Sequence, residues 1–103
     1  MNSTQSVTEW DEPILPARIE VTAAPNPFNS STTITFDLPS ADLVVLELKD
    51  INGRVMSREL MGMLPAGIHQ TTIYAEDYPT GMYLVNLVTT TGLKASTRIL
   101  LVR

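Results

Sequence analysis

From Pro25 to the end of the chain, turn-forming residues recur about every 8–12 positions, and the stretches between them alternate apolar and polar side chains. That spacing admits short strands and leaves no room for helices of three turns. The punctuation is Pro25-Asn26-Pro27, Pro39-Ser40-Ala41-Asp42, Asn52-Gly53, Leu64-Pro65-Ala66-Gly67, Tyr78-Pro79-Thr80-Gly81 and Thr91-Gly92. Proline fixes φ and removes a ladder donor; glycine and asparagine accept positive φ. Residues 32–38 put Ile34, Phe36 and Leu38 on one face and Thr33, Thr35 and Asp37 on the other, the period-2 mark of a half-buried strand.

The same reading predicts strands over 18–22, 32–38, 43–51, 54–60, 68–75, 82–90 and 93–102. Residues 82–90 are apolar on both faces and read as a central strand. In 93–102, Ala95, Thr97, Ile99 and Leu101 share one face, with Lys94, Ser96 and Arg98 on the other. Asn52-Gly53 predicts a two-residue hairpin with positive φ at both positions. Residues 61–66 hold one helical turn at most, and no segment sustains a 3.6 period. About seven strands in two antiparallel sheets make an all-β sandwich. Its expected core is Ile34, Phe36, Val44, Leu46, Leu48, Val85, Leu87, Ile99 and Leu101. Residues 1–16, opened by polar residues and closed by Pro13 and Pro16, read as a linker. The single tryptophan, Trp10, lies in it, and packs either on this domain or on a neighbouring one.

At 103 residues the chain fits one domain. Four basic and eleven acidic side chains occur up to Asp77; three basic and no acidic ones follow, Lys94, Arg98 and Arg103. Glu9, Asp11 and Glu12 crowd near the start. A net charge of −4 argues against nucleic-acid binding, which needs a Lys/Arg surplus. There is no cysteine, hence no disulfide, thiolate nucleophile or thiolate metal site. No apolar run reaches the roughly 18 residues of a membrane-spanning helix. The first residues lack the basic and apolar regions of a signal peptide, so an export address is expected elsewhere. The basic tail reads either as a protected strand edge or as a recognition strip for an acidic partner.

Catalytic material is sparse. His69 is the only histidine, on a strand, without the convergent partners of a triad. Gly62 and Gly67 have half a phosphate-loop spacing, but Ile68 and His69 follow where Lys and Ser/Thr are needed. Asp50-Ile51-Asn52-Gly53 opens like a calcium loop but lacks the downstream acids, and the hairpin explains it. Glu76-Asp77 is a carboxylate pair at a turn, of a kind usually solvated. The expectation is a non-enzyme with no cofactor and no metal. Exposed planar aromatics among Trp10, Tyr74, Tyr78 and Tyr83 would favour a rival function, a carbohydrate-binding or spacer module of a secreted hydrolase.

The order of motifs adds a resemblance. Pro25-Asn26-Pro27-Phe28-Asn29, Thr32 to Pro39, Leu48 to Val55, Leu64 to His69, Tyr78 to Tyr83, then Lys94 to Arg98 and a final basic residue form a series. Over residues 23–103 it resembles the C-terminal sorting domain of the type IX (Por) secretion system, type A. More distantly it resembles the Ig-like domain of the flagellar hook-cap assembly protein. The resemblance implies an immunoglobulin-like sandwich over 17–103. It implies a signal and surface-anchoring module behind an N-terminal passenger, read by the type IX translocon and attachment machinery. It implies passage through the periplasm to the cell surface or outside. The domain is expected to be monomeric. Its Gly-x-Tyr motif falls on Gly81 and Tyr83, and its basic motif on Lys94, Arg98 and Arg103. Ser30 stands where many members have proline, and the last residue is Arg rather than Lys. In physical terms Pro27 and Phe28 lock a crossover, and Gly81 gives a tight approach for Tyr83. Arg103, at the end, is expected to tolerate replacement as readily as Lys94 and Arg98.

Overall fold

A computed structural model describes residues 19–103; the linker and Trp10 lie outside them. The strands are β1 (Glu20–Ala24), β2 (Ser31–Leu38), β3 (Asp42–Asp50), β4 (Val55–Leu64), β5 (Gly67–Tyr74), β6 (Gly81–Thr89) and β7 (Lys94–Leu101). They form two antiparallel sheets, ordered β1-β2-β5 and β4-β3-β6-β7. The expected all-β, seven-strand, immunoglobulin-like sandwich is therefore the observed architecture among the described residues.

Alternation decides what each sheet buries. From β2, Thr32, Ile34, Phe36 and Leu38 face inward. Val44, Leu46 and Leu48 of β3, Tyr83, Val85 and Leu87 of β6, and Ile99 and Leu101 of β7 meet them. All nine expected core residues are buried. β6 lies between β3 and β7, as its two apolar faces predict: Val85 and Leu87 fill the core, while Leu84 and Val88 are half-buried on the outer side.

Two turns differ from expectation. The Asn52-Gly53 loop has three residues, not two. The Gly53 N–H donates to the Asp50 carbonyl at 3.0 Å, and the Asp50 N–H donates to the Arg54 carbonyl at 3.0 Å. Gly53 takes the left-handed position, φ 83°, and the ladder shifts register at Leu48/Lys49. The cause is Asp50. Its carboxylate accepts the N–H groups of Asn52 (2.9 Å) and Arg54 (3.0 Å), which selects a tight turn followed by a glycine bulge. Ile51, expected to end a strand, projects into solvent at the tip. The second difference is β4, which runs on to Leu64 rather than stopping at 60. Gly62, at φ 86°, absorbs one extra residue as a bulge, so that Met63 and Leu64 still pair with Leu43 and Asp42.

Four strands face three. β1 packs against β7, and at the other side β4 faces β5 only across a groove bordered by Ser57, Glu59, Thr72 and Tyr74. Ser57 and Glu59 on its inner side and Arg58 and Leu60 on its outer side are all exposed.

Candidate recognition surface

β7 places its side chains in strict alternation. Lys94, Ser96 and Arg98 are exposed, Ala95 and Thr97 half-buried, and Ile99 and Leu101 buried. Lys94 and Arg98 thus stand on one face, four residues or about 13 Å apart along the strand.

The lower half of this edge strand is closed by the chain's own crossover. Pro25 and Pro27 lack N–H groups, so the side chain of Asn26 does the work of a strand backbone. Its amide nitrogen donates to the Arg98 carbonyl at 2.8 Å, and its amide oxygen accepts the Leu100 N–H at 3.0 Å. Phe28 then pairs by main chain, its N–H to the Leu100 carbonyl (2.9 Å) and its carbonyl from the Val102 N–H (2.8 Å). Its ring is buried in the core. The Thr32 hydroxyl donates to the Pro25 carbonyl at 2.7 Å and holds the bend. These contacts tie residues 25–28 to β7, with Asn26 and Thr32 supplying bonds that the sequence reading did not assign. Since Arg98 and Leu100 direct their main-chain groups outward, period two directs those of Lys94 and Ser96 outward as well. Among the described residues no main-chain hydrogen bond outside the sheet reaches that upper half.

Arg103 does not share the face of Lys94 and Arg98. Its Nε donates to the Tyr78 carbonyl at 2.9 Å, its Nη2 to the Ala75 carbonyl, and its N–H to the Thr80 hydroxyl at 3.3 Å. The expected tolerance of a loose chain end is corrected: this guanidinium clamps the 75–80 loop. Tyr83 is buried beneath that loop, its hydroxyl donating to the Pro79 carbonyl at 2.6 Å and its ring stacked on Tyr78 at 5.8 Å. Burial pushes its phenol pKa up, with the Asp50 carboxylate adding to the effect. Gly81 departs from its expected steric role. Its φ is ordinary, and a Cβ there would meet nothing within 4 Å.

At the other end of β7 sits a residue the sequence did not reveal. Asp42 is buried, and its carboxylate accepts the hydroxyls of Thr91 (2.5 Å) and Thr90 (2.9 Å) and the Leu43 N–H (2.8 Å). The Thr91 hydroxyl, opposed by burial and aided by the other donors, lowers its pKa to about 2. This fixes the turn from which β7 starts and so the position of Lys94. No periodicity marks an acid at a strand's first residue as buried; only the run Thr89-Thr90-Thr91 hinted at donors.

The other residues singled out have local partners. His69 bonds the Pro65 carbonyl at 2.7 Å and packs against Phe36. Asp50 holds the hairpin and pairs with Arg54 at 3.2 Å. Tyr74 is exposed, but the stacked aromatic pair includes the buried Tyr83, so the described residues present no coplanar exposed pair.

A family model described as the secretion system C-terminal sorting domain matches residues 22–102, nearly all of the described chain. No curated protein matches. The sandwich, the locked crossover and the basic final strand fall within that match, and the chain belongs to the family of type IX secretion C-terminal sorting domains.

Proposed function

We propose that this domain is the non-catalytic C-terminal signal and surface-anchoring module of a larger secreted bacterial protein, read by the type IX outer-membrane machinery through the outward face of β7. Lys94 and Arg98 are the contact residues. Gly81 and Tyr83 act through the 75–80 loop and Arg103 by clamping it. The passenger lies N-terminal and travels through the periplasm to the surface or beyond. The observation that carries this reading is the pinned strand. Two cations project from one face of β7, Arg98 from the half whose edge the Asn26 amide and Phe28 hold in place and Lys94 beside the turn held by Asp42, which suits recognition of a folded signal. The carbohydrate-binding alternative would call for paired exposed rings, and no described residues supply them.

The test fuses the 103-residue chain to a periplasm-targeted reporter in a host with type IX machinery. Wild type should bring the reporter to the surface. Lys94→Gln with Arg98→Gln should leave it folded in the periplasm, since exposed substitutions shift stability by about 0.5 kcal/mol or less. A wild-type fusion retained in the periplasm while folded overturns the sorting role. Normal export of the double variant returns Lys94 and Arg98 to edge protection. Arg103 is left intact because its replacement would also free the loop.

A further inference from the structure

The outer edge of β7 is a ladder half completed. The Thr89 N–H donates to the Leu93 carbonyl at 3.0 Å, in register with the pairing of Val88 and Lys94. Odd-numbered residues of β7 therefore turn their main chain toward β6, and even-numbered ones turn theirs away. At the lower end the Asn26 amide and Phe28 take the Arg98 carbonyl and both groups of Leu100. Above them both main-chain groups of Lys94, both of Ser96 and the Arg98 N–H point outward, and no bond among the described residues reaches them. β1 lies beside β7, but its ladder is to β2 in the other layer.

This edge is also regular and charged, which the edges across the sandwich are not. The β6–β7 register runs unbroken from Val88↔Lys94 to Gly81↔Leu101, whereas β4 shifts register at Val44/Val45 and at Leu48/Lys49. The exposed side chains of β5 are Ile68, Gln70, Thr72 and Tyr74, none of them charged. Lys94 and Arg98 stand about 13 Å apart on one face of β7, and neither has an acidic partner among the described residues. Two copies joined antiparallel about Ser96, the register that uses all the free groups, would set Lys94 of one against Arg98 of the other. Like charges directly opposite oppose that pairing.

We infer that the upper half of β7 accepts an extended acidic segment of a partner protein as an added strand along residues 94–98. The occupant carries carboxylates at positions i and i+4. On an antiparallel strand these fall opposite Arg98 and Lys94, with position i+2 opposite Ser96, all on the outer face. Its main chain gives N–H groups to the carbonyls of Lys94 and Ser96 and accepts the three free N–H groups. Pairing ends at Arg98, because the Asn26 amide already holds that carbonyl. The inference rests on the sorting reading and specifies what the secretion machinery presents: side chains match the charge, and main chain sets the register. The same two cations that repel a second copy then select an acidic strand, so edge protection and recognition become one device.

The probe is the acetylated and amidated peptide Thr-Glu-Val-Thr-Val-Glu-Thr, added to the isotopically labelled 103-residue chain. At millimolar peptide the N–H groups of Lys94, Ser96 and Arg98 should exchange with solvent about fivefold more slowly, while those of β4 and β5 keep their rates. Exchanging both glutamates for lysine should abolish the effect. N-methylation of the central threonine, which faces Ser96, should abolish it with the charges unchanged. Lys94→Gln with Arg98→Gln should weaken binding about fivefold, in keeping with two exposed ion pairs, with circular dichroism confirming the fold. Unchanged exchange at Ser96 overturns the added strand, even where the Lys94 and Arg98 side-chain signals move, since charge attraction alone would do that. Equal slowing by the methylated peptide overturns it too, as does slowing confined to β4 or β5. None of these readouts involves export, so their failure leaves the sorting role standing. Normal export of the double variant overturns the part of Lys94 and Arg98 in sorting and leaves the strand site standing.

Discussion

The two edge strands of the four-stranded sheet share a sheet and little else. β7 buries Ile99 and Leu101, lies beside β1, and has half its outer edge bonded by Asn26 and Phe28. β4 is exposed on both faces from Ser57 to Leu60, reaches the core only through partly buried Met56, Met61 and Leu64, and takes a bulge at Gly62. Its Leu60 and Met63 are exposed while Ile99 is 1% exposed. A strand held on its face and its edge keeps side chains at fixed spacing, and a strand held mainly by one edge does not. The proposed signal sits on the former. An exposed strand with a bulge also resists flat edge-to-edge pairing, which protects a secreted domain from aggregation.

The largest contrast comes from truncating one apolar side chain on each edge. Ile99→Ala should cost about 2–5 kcal/mol, by lost transfer and a residual cavity, while Leu60→Ala should stay within about 0.5 kcal/mol. Urea unfolding of the two variants checks this, and equal losses would dissolve the distinction between the edges. Next is the hairpin that delivers β4. Gly53→Val forces a β-branched residue to φ 83° and should cost about 1–2 kcal/mol. Thermal melting measures it, and the damage should leave the amide protection of β7 largely intact.

A smaller change should fall on β7 alone. Asn26→Ala removes both amide bonds from an exposed edge, and so should cost about 1 kcal/mol, while hydrogen exchange at the Leu100 N–H quickens. Asp42 sharpens the comparison through pH. Its folded pKa of about 2 lies below the ordinary 3.8, so its stabilisation is fully present above that ordinary value and is lost as pH falls toward 2. Asp42→Asn should flatten the acid-unfolding curve between about pH 4 and pH 2 and loosen the 90–92 turn that starts β7. The smallest effect belongs to Gly81→Ala. With open space around it and ordinary φ, stability should fall by no more than about 0.5 kcal/mol. A larger loss by calorimetry would restore the tight approach for Tyr83.

Period and punctuation carried most of this fold. Alternation identified the buried face of β2, β3, β6 and β7 because one face of each meets the opposite sheet. It was silent on β4, since exposure there follows from the mismatch of three strands against four, a property of the assembled sheets. The hairpin was legible as a turn but not in length, because the carboxylate of Asp50 rather than Asn52-Gly53 selects the loop. The basic residues were legible as a set of three. Only contacts distant in sequence separate Arg103, which binds loop carbonyls, from Lys94 and Arg98, which face solvent. The same holds for Asn26, whose role depends on carbonyl and amide groups more than seventy residues away.

That last separation bears on timing. The bonds from Asn26 to Arg98 and Leu100 join positions 72 and 74 residues apart. Loops of that length close late and slowly, so all-β chains dominated by such pairings fold on millisecond-to-second scales. The outer edge of β7 therefore takes shape only once nearly the whole domain has been synthesised and its two ends have met. A chain cut short, or held unfolded by a chaperone, contains every basic residue up to the cut and still lacks the surface on which they are arrayed. Display of the strip is a report that the domain is complete.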